Sequence, residues 1–339
     1  MLDARTVAEF RANKPGMEIS LTHRYRQPIE KVFAALSTPE RIAAWMGVEW
    51  TGAAAPLKPG SSFSYRFKNS DMASLGKVTA YEPPRLIEHT WFENIPPAAT
   101  VRWALAPDRD GCVLTLTQSY PGKDDGARNG AGWTMIIGQL DAWLAGAPFG
   151  PRESWAKLRD RYARSMGPEA VRDGRRRTRD GQPVVEFKRL LRHPVAEVWS
   201  WLTQKARLAD WLGDVDVDLR PGGVFRIRFA MAPIVMEGTI TKVEAPRRLA
   251  MIWREPWFEN NDVTLAFALE PHTDGTLLTL THTFPANYDP QEYLPGWHEF
   301  MDAVEDAMEG TPFVWDTPER KQAYATRERV YKSIAAAGG

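Results

Sequence analysis

Residues 110–121 read DGCVLTLTQSYP, and residues 274–285 read DGTLLTLTHTFP. Seven of the twelve positions are identical, at a constant offset of 164. Asp-Gly marks a tight turn, because glycine tolerates positive φ and aspartate bonds its own backbone. Leu114 and Leu116 then alternate with Thr115 and Thr117, as Leu278 and Leu280 do with Thr279 and Thr281. That period of two predicts a strand with one buried and one wet face. Pro121 and Pro285 end it, since proline donates nothing to a ladder. Each copy is therefore read as a turn feeding an antiparallel, half-buried strand.

The likeness extends outward from this strand. RQPIEKVFAALSTPERIAAWMG (26–47) matches RHPVAEVWSWLTQKARLADWLG (192–213) without a gap. LKPGSSFSYRF (57–67) matches LRPGGVFRIRF (219–229), and PPRLIEHTW (83–91) matches APRRLAMIW (245–253). GWTMIIGQLDAWLAGAPF (132–149) matches GWHEFMDAVEDAMEGTPF (296–313). A period near 165 is the size of a domain rather than of a solenoid repeat. The expected organisation is an extension (1–17), a first domain with a trailing helix (18–166), a basic linker (167–183) and a second domain with a trailing helix (184–339). The linker assignment rests on RDGRRRTRDG (172–181), a charge run with no apolar residue that reads as a solvated stretch.

Each copy predicts an opening strand, then a helix introduced by Pro28 or Pro194. Ile29, Val32, Phe33 and Leu36 make its apolar stripe at i, i+3, i+4 and i+7, as do Val195, Val198, Trp199 and Leu202. A short second helix ends at Trp45 or Trp211, with Thr38 as the expected N-cap in the first copy. About six alternating strands follow. Each copy closes with a longer helix striped by Trp133, Ile136, Ile137, Leu140 and Leu144, or by Trp297, Phe300, Met301, Val304 and Met308. The class is α+β: a twisted antiparallel sheet of about seven strands wrapped around a long C-terminal helix, with an apolar pocket where sheet and helix part.

The ordered set P-x-x-x-V-[FW], W-[ML]-G, PG-x-F, P-R…W, DG-x-x-L-T-L-T-[QH] and GW resembles the helix-grip SRPBCC (START-like) superfamily, in its bacterial branch related to the activator homologue of the heat shock protein ATPase. The resemblance covers about 18–146 and 184–310. It implies two tandem helix-grip domains, and a hydrophobic pocket or a chaperone partner. The eukaryotic activator has a separate N-terminal domain that grips the chaperone. With residues 1–17 ahead of the first copy, this chain is not expected to carry one.

Lys+Arg and Asp+Glu are both 43, which speaks against a nucleic-acid binder. The N-terminal stretch lacks the apolar core of a signal peptide, and no run of 18 apolar residues predicts a membrane span. A cytoplasmic protein is expected. Cys112 is the only cysteine and reads as a small buried hydrophobe. No His/Cys ligand spacing, phosphate loop or nucleophile triad is present, so neither a metal nor a cofactor is expected.

Candidate site residues are polar groups sharing a face with apolar ones. Asp141 and Glu305 stand at position 8 of the closing-helix stripe, where a pocket-facing carboxylate could act as acid or base or anchor a ligand. His89 and His282 share the inward parity of their strands. Tyr65, Trp91, Trp133, Ile137, Trp253 and Trp297 are expected to line the pockets. His298, Glu299, Asp302 and Asp306 fall off the apolar stripe and read as a solvated face. The segment WFEN recurs at 91–94 and 257–260 out of register, which leaves Glu93, Glu255 and Glu259 as weak candidates.

Non-catalytic binding of a small hydrophobic or aromatic molecule is the favoured function. A cyclase- or dehydratase-type enzyme and a chaperone ATPase-activator-like partner are the alternatives. The first copy should hold the main pocket. It has Tyr65, Gly138 and Gln139 where the second has Ile227, Asp302 and Ala303, and Ile136 and Ile137 where the second has Phe300 and Met301.

Overall fold

The computed structural model of the chain describes residues 6–13, 16–67, 73–94, 98–151, 153–229, 234–254, 263–311 and 313–336. The chain divides into two compact units, Met1–Ala170 and Val171–Gly339. The first comprises β1 (Val7–Asn13), β2 (Gly16–Tyr25), α1 (Ile29–Ser37), α2 (Pro39–Met46), β3 (Val48–Gly52), β4 (Ser62–Phe67), β5 (Ala73–Glu82), β6 (Leu86–Trp91), β7 (Ala99–Asp108), β8 (Gly111–Tyr120), α3 (Gly126–Leu144) and α4 (Trp155–Ser165). The second repeats the order with β9 (Arg175–Arg179), β10 (Gln182–Leu191), α5 (Val195–Thr203), α6 (Lys205–Ala209), β11 (Gly213–Val217), β12 (Val224–Phe229), β13 (Val235–Glu244), β14 (Arg248–Arg254), β15 (Val263–His272), β16 (Gly275–Thr283), α7 (Tyr293–Met308) and α8 (Pro318–Ala336).

Each unit is one eight-stranded antiparallel sheet with helices, as the α+β helix-grip reading expects. The strand order β1-β2-β8-β7-β6-β5-β4-β3 recurs as β9-β10-β16-β15-β14-β13-β12-β11. No strand of one unit completes the sheet of the other among the described residues. Both sheets carry a bulge at the same place, between Val78 and Ala80 and between Ile240 and Lys242. Such bulges bend a strand and increase its twist, which curls the sheet toward its closing helix.

The eighth strand of each sheet comes from segments read as extension and linker. The whole of β1 pairs with β2, from Asn13 opposite Gly16 to Val7 opposite Thr22. Residues 172–181 are not a solvated linker: Arg172 and Asp173 are buried, and Arg175–Arg179 form β9 against β10. The two-residue turn is Asp180-Gly181, with φ of 50° and 78°. Positive φ at both central residues is the hairpin geometry that Asp-Gly favours. The Asp-Gly pairs of the quoted stretch work differently. There the turn residues are Arg109-Asp110 and Thr273-Asp274, while Gly111 and Gly275 begin the strands. A Cβ on Gly111 would lie 2.0 Å from the Tyr25 carbonyl, and one on Gly275 2.1 Å from that of Leu191. Both glycines are needed for a close backbone crossing.

The two tryptophans ending the second helices are held alike. Trp45 Nε1 donates to the Ala35 carbonyl at 2.9 Å, and Trp211 Nε1 to that of Trp201 at 3.0 Å. Thr38 occupies the N-cap of α2 but makes no side-chain cap bond, so Pro39 at the first helical position carries that signal.

Candidate functional site

The first unit contains a cleft between the β3–β7 half of its sheet and helices α1 and α2. The space between its atoms, open solvent at the mouth included, is about 460 Å³. The helices contribute Leu36, Ile42, Trp45 and Met46, and Leu57 closes one end. Trp50, Phe63 and Tyr65 form one wall, with Val78, Ile87, His89, Trp91 and Trp103 on the strands beyond. Period-two alternation on β4 and β6 puts Phe63 with Tyr65, and Ile87 with His89 and Trp91, on the same face.

Trp50, Phe63 and Tyr65 are nearly parallel. Trp50 and Phe63 have centroids 4.7 Å apart and planes 16° apart, and Phe63 and Tyr65 are 6.2 Å and 16° apart. Trp91 is tilted against Tyr65 at 5.2 Å and against Trp133 of α3 at 4.7 Å.

His89 is fully engaged. Its Nδ1–H donates to the Thr90 carbonyl at 2.8 Å, which leaves Nε2 to accept from Trp103 Nε1 at 3.1 Å. Burial lowers its pKa to about 4, so it is neutral at pH 7. A proton shuttle needs a free nitrogen, and His89 has none. Two other indoles are also satisfied, Trp45 on Ala35 and Trp50 on the Ala53 carbonyl at 3.2 Å. The Tyr65 hydroxyl is buried and makes no hydrogen bond of acceptable geometry. Burial raises its pKa well above the ordinary phenol value, with the Ser74 side-chain hydroxyl, as a hydrogen-bonding neighbour, acting in the opposite direction.

The other candidates lie elsewhere. Trp133, two turns into α3, ties that helix to β8: its Nε1 donates to Gln118 Oε1 at 2.7 Å. Trp297 does the same on α7, donating to His282 Nδ1 at 3.1 Å. Gln118 and His282 are aligned positions, so His282 serves as the acceptor for a core indole. Burial lowers its pKa to about 3. Ile137 belongs to the core, with its carbonyl accepting from the Tyr25 hydroxyl at 3.2 Å. Trp253 packs on Phe225 in the second unit. Asp141 is half-buried and stands 4.0 Å from His23 Nε2, not on the cleft. Glu93 is described and lies at a turn after β6, with its N–H bonded to the Leu75 carbonyl, and Glu255 and Glu259 lie outside the described residues. Cys112 is buried, which pushes its thiol up to about 11.

Glu305 belongs to a cluster that sequence reading placed in solvent. His298, Glu299 and Asp302 are buried. Arg172 bonds Asp302 and Glu305, each at 2.7 Å, and Arg189 bonds Asp302 at 3.0 Å. Arg327 of α8 reaches Asp302 at 2.9 Å and also bonds Glu299. The Tyr331 hydroxyl bonds His298 Nδ1 at 2.9 Å and accepts from Gly174 N–H at 2.7 Å. Burial alone would raise the Asp302 pKa, but the surrounding arginines and His298 hold it well below the carboxylate range. The off-stripe face of α7 is covered by α8 and by the chain ahead of β9. A one-sided stripe cannot reveal that second cover. The signal lay in Arg172, Arg189 and Arg327, whose number matches a set of acids on one helix face.

Among the described residues no group of three or more His, Cys, Asp or Glu is placed to hold a metal ion. No helix among them is long and apolar enough to cross a membrane.

The paired sheets, bulges and closing helices define a tandem helix-grip protein. A family model described as Activator of Hsp90 ATPase homolog 1-like protein matches residues 26–145 and 192–309, well over half of the chain, and the chain belongs to that family. Among solved structures, CalU16 from Micromonospora echinospora is 27% identical over 47% of this chain and 93% of that one, with a TM-score of 0.38. MLL2253 from Mesorhizobium loti is 22% identical over 38% of this chain and 99% of that one, with a TM-score of 0.35. DynU16, described as a putative protein in the dynemicin biosynthetic locus, is 19% identical over 91% of this chain and 98% of that one, with a TM-score of 0.35. No curated protein matches the chain.

Proposed function

We propose that the first unit binds a small hydrophobic or aromatic molecule in the cleft beneath α2, without transforming it, and that the second unit is mainly structural. One observation carries this reading. Four of the cleft's polar-tipped side chains are replaced at the matching positions of the second unit, while Trp45, Phe63 and Trp91 have their counterparts in Trp211, Phe225 and Trp253. By strand register Trp50 corresponds to Val215 and Tyr65 to Ile227. His89 corresponds to Met251, and Trp103 to Phe267. The His89–Trp103 pair is thus exchanged as a unit for two apolar side chains. A core needs neither member of that pair, because a buried hydrogen bond contributes only about 1 kcal/mol net. Keeping four polar-tipped aromatic or imidazole groups around one empty space suits a site.

Binding without catalysis is favoured because the carboxylate candidates lie off the cleft and both His89 nitrogens are occupied. The test fills matching places, Val78→Phe in the first unit and Ile240→Phe in the second, and follows the fluorescence of neutral N-phenyl-1-naphthylamine. Val78→Phe should weaken binding at least tenfold and Ile240→Phe should not. The reverse result would move the site to the second unit. No binding to the unaltered protein would favour a protein partner instead.

A further inference from the structure

We infer that the outer edge of β9 docks an extended acidic segment of a partner protein, which joins the second sheet as a further strand.

β9 ends its sheet, so one side meets β10 and the other meets no strand among the described residues. Parity decides which backbone groups lie open. The Pro183 carbonyl accepts the Phe284 N–H at 2.9 Å, so Pro183 turns its backbone away from β9. Thr178, opposite Pro183, then turns its own N–H and C=O away from β10, and Arg176, two residues back, does the same. Gly174 shares that parity and is already taken, since its N–H donates to the Tyr331 hydroxyl at 2.7 Å. Arg176 and Thr178 therefore present a short open ladder, bounded by Tyr331 at one end and by the Asp180-Gly181 turn at the other.

Charge names the occupant. β9 reads RRRTR, and Arg176, Arg177, Thr178 and Arg179 are exposed. Arg176 pairs with Asp289 at 2.9 Å and Arg179 pairs with Glu186, whereas Arg177 has no ion pair among the described residues. The two paired arginines are themselves about half exposed, where such contacts contribute little and exchange readily. Charge on an edge strand commonly guards it against pairing. For that purpose a balanced set suffices, as on the matching edge β1, where Glu9 and Arg11 stand 3.6 Å apart. An excess of one sign does more. It repels a second copy of the same edge and any basic segment, while a strand with carboxylates opposite the arginines gains ion pairs as well as ladder bonds.

The experiment titrates the full chain, by fluorescence polarisation, with a short dye-labelled peptide alternating glutamate and valine and with its lysine counterpart. The glutamate peptide should bind and the lysine peptide should not. Methylating alternate backbone nitrogens of the glutamate peptide, on the side that would face β9, should abolish binding, because the ladder loses its donors. Arg177→Glu, on the exposed edge, should weaken binding roughly tenfold, the worth of a lost attraction and an added repulsion. Thr178→Pro should weaken it as strongly, since it removes an outward N–H and no bond to β10. Melting curves of both variants report an intact fold. Failure of the glutamate peptide to bind the unaltered protein would overturn the inference and leave the arginines as a guard. Equal binding of the methylated peptide would overturn strand addition, and binding untouched by Arg177→Glu would overturn the placement on β9.

Discussion

Thr134 on α3 and His298 on α7 occupy matching positions, and each bonds the hydroxyl of a tyrosine on the helix that follows, Tyr162 at 2.7 Å and Tyr331 at 2.9 Å. Around that shared contact the chemistry diverges. In the first unit α4 packs through Leu158 and Tyr162 on Ala127 and Ala131, a small apolar seam. In the second, three arginines meet Glu299, Asp302 and Glu305. The replacement is traceable residue by residue. Gly138 matches Asp302, Asp141 matches Glu305 and His23 matches Arg189. The single His23–Asp141 approach at 4.0 Å therefore stands where the second unit builds its network. The contrast shows that a trailing helix can be fixed to this scaffold by close approach of small residues or by paired charge. Meanwhile the opposite face of the closing helix keeps one solution, an indole bonded to the last strand.

That shared solution gives the largest expected effect. Trp133→Ala and Trp297→Ala should each cost about 3–5 kcal/mol in denaturant unfolding, and each also strands an acceptor. A loss below about 1 kcal/mol in one copy alone would break the equivalence of the two helices. The divergent face comes next. Asp302→Ala leaves buried guanidinium groups without their carboxylate and should cost about 3–5 kcal/mol. Thr134→Val removes one neutral hydrogen bond and should cost about 1 kcal/mol. Equal losses in the same unfolding measurement would show that the cluster holds α8 no more firmly than the apolar seam holds α4.

A pH-dependent effect comes from exchanging the acceptors. His282 has its pKa lowered to about 3, against about 6.5 unfolded. The unfolded chain takes up a proton as pH falls through 6.5 and the folded chain does not, so stability falls from there downward. Between pH 7 and 5 the loss is about 2 kcal/mol for this histidine. His282→Gln, which imports the acceptor of the first unit, should flatten the pH dependence by that amount. Gln118→His should steepen it. Melting curves of both variants at the two pH values decide the matter, and unchanged slopes would mean that His282 is solvated or charged in the fold.

Most of the architecture was legible because the repeat converts weak local signals into paired ones. Leu114/Leu278 and Trp133/Trp297 each testify twice. The strands β1 and β9 were missed because a short or arginine-rich segment lacks an apolar face, although the Asp180-Gly181 turn was readable by the rule applied at residues 110 and 274. The cleft was placed between sheet and closing helix, but it lies under α2 and excludes Ile137 and Asp141. Tyr65, His89 and Trp91 lie on the buried face of their strands, as strand parity expected. Trp50 and Trp103 were missed, since an isolated aromatic on a strand gives no sign of which neighbours it meets. Burial of Glu299 and Asp302 depends on Arg189 and Arg327, more than a hundred and about 25 residues away, and helical periodicity carries no information at that range.

The paired charges between α7 and α8 also set a thermal order. Hydrophobic contact weakens on cooling. The penalty for stripping water from charges falls on heating. The seam under α4 and the network under α8 therefore respond to temperature to different degrees. Warming favours the grip on α8 relative to the grip on α4, and cooling takes the advantage from both for different reasons. One chain thus carries two fastenings of the same joint, of which the charged one gains more from heat.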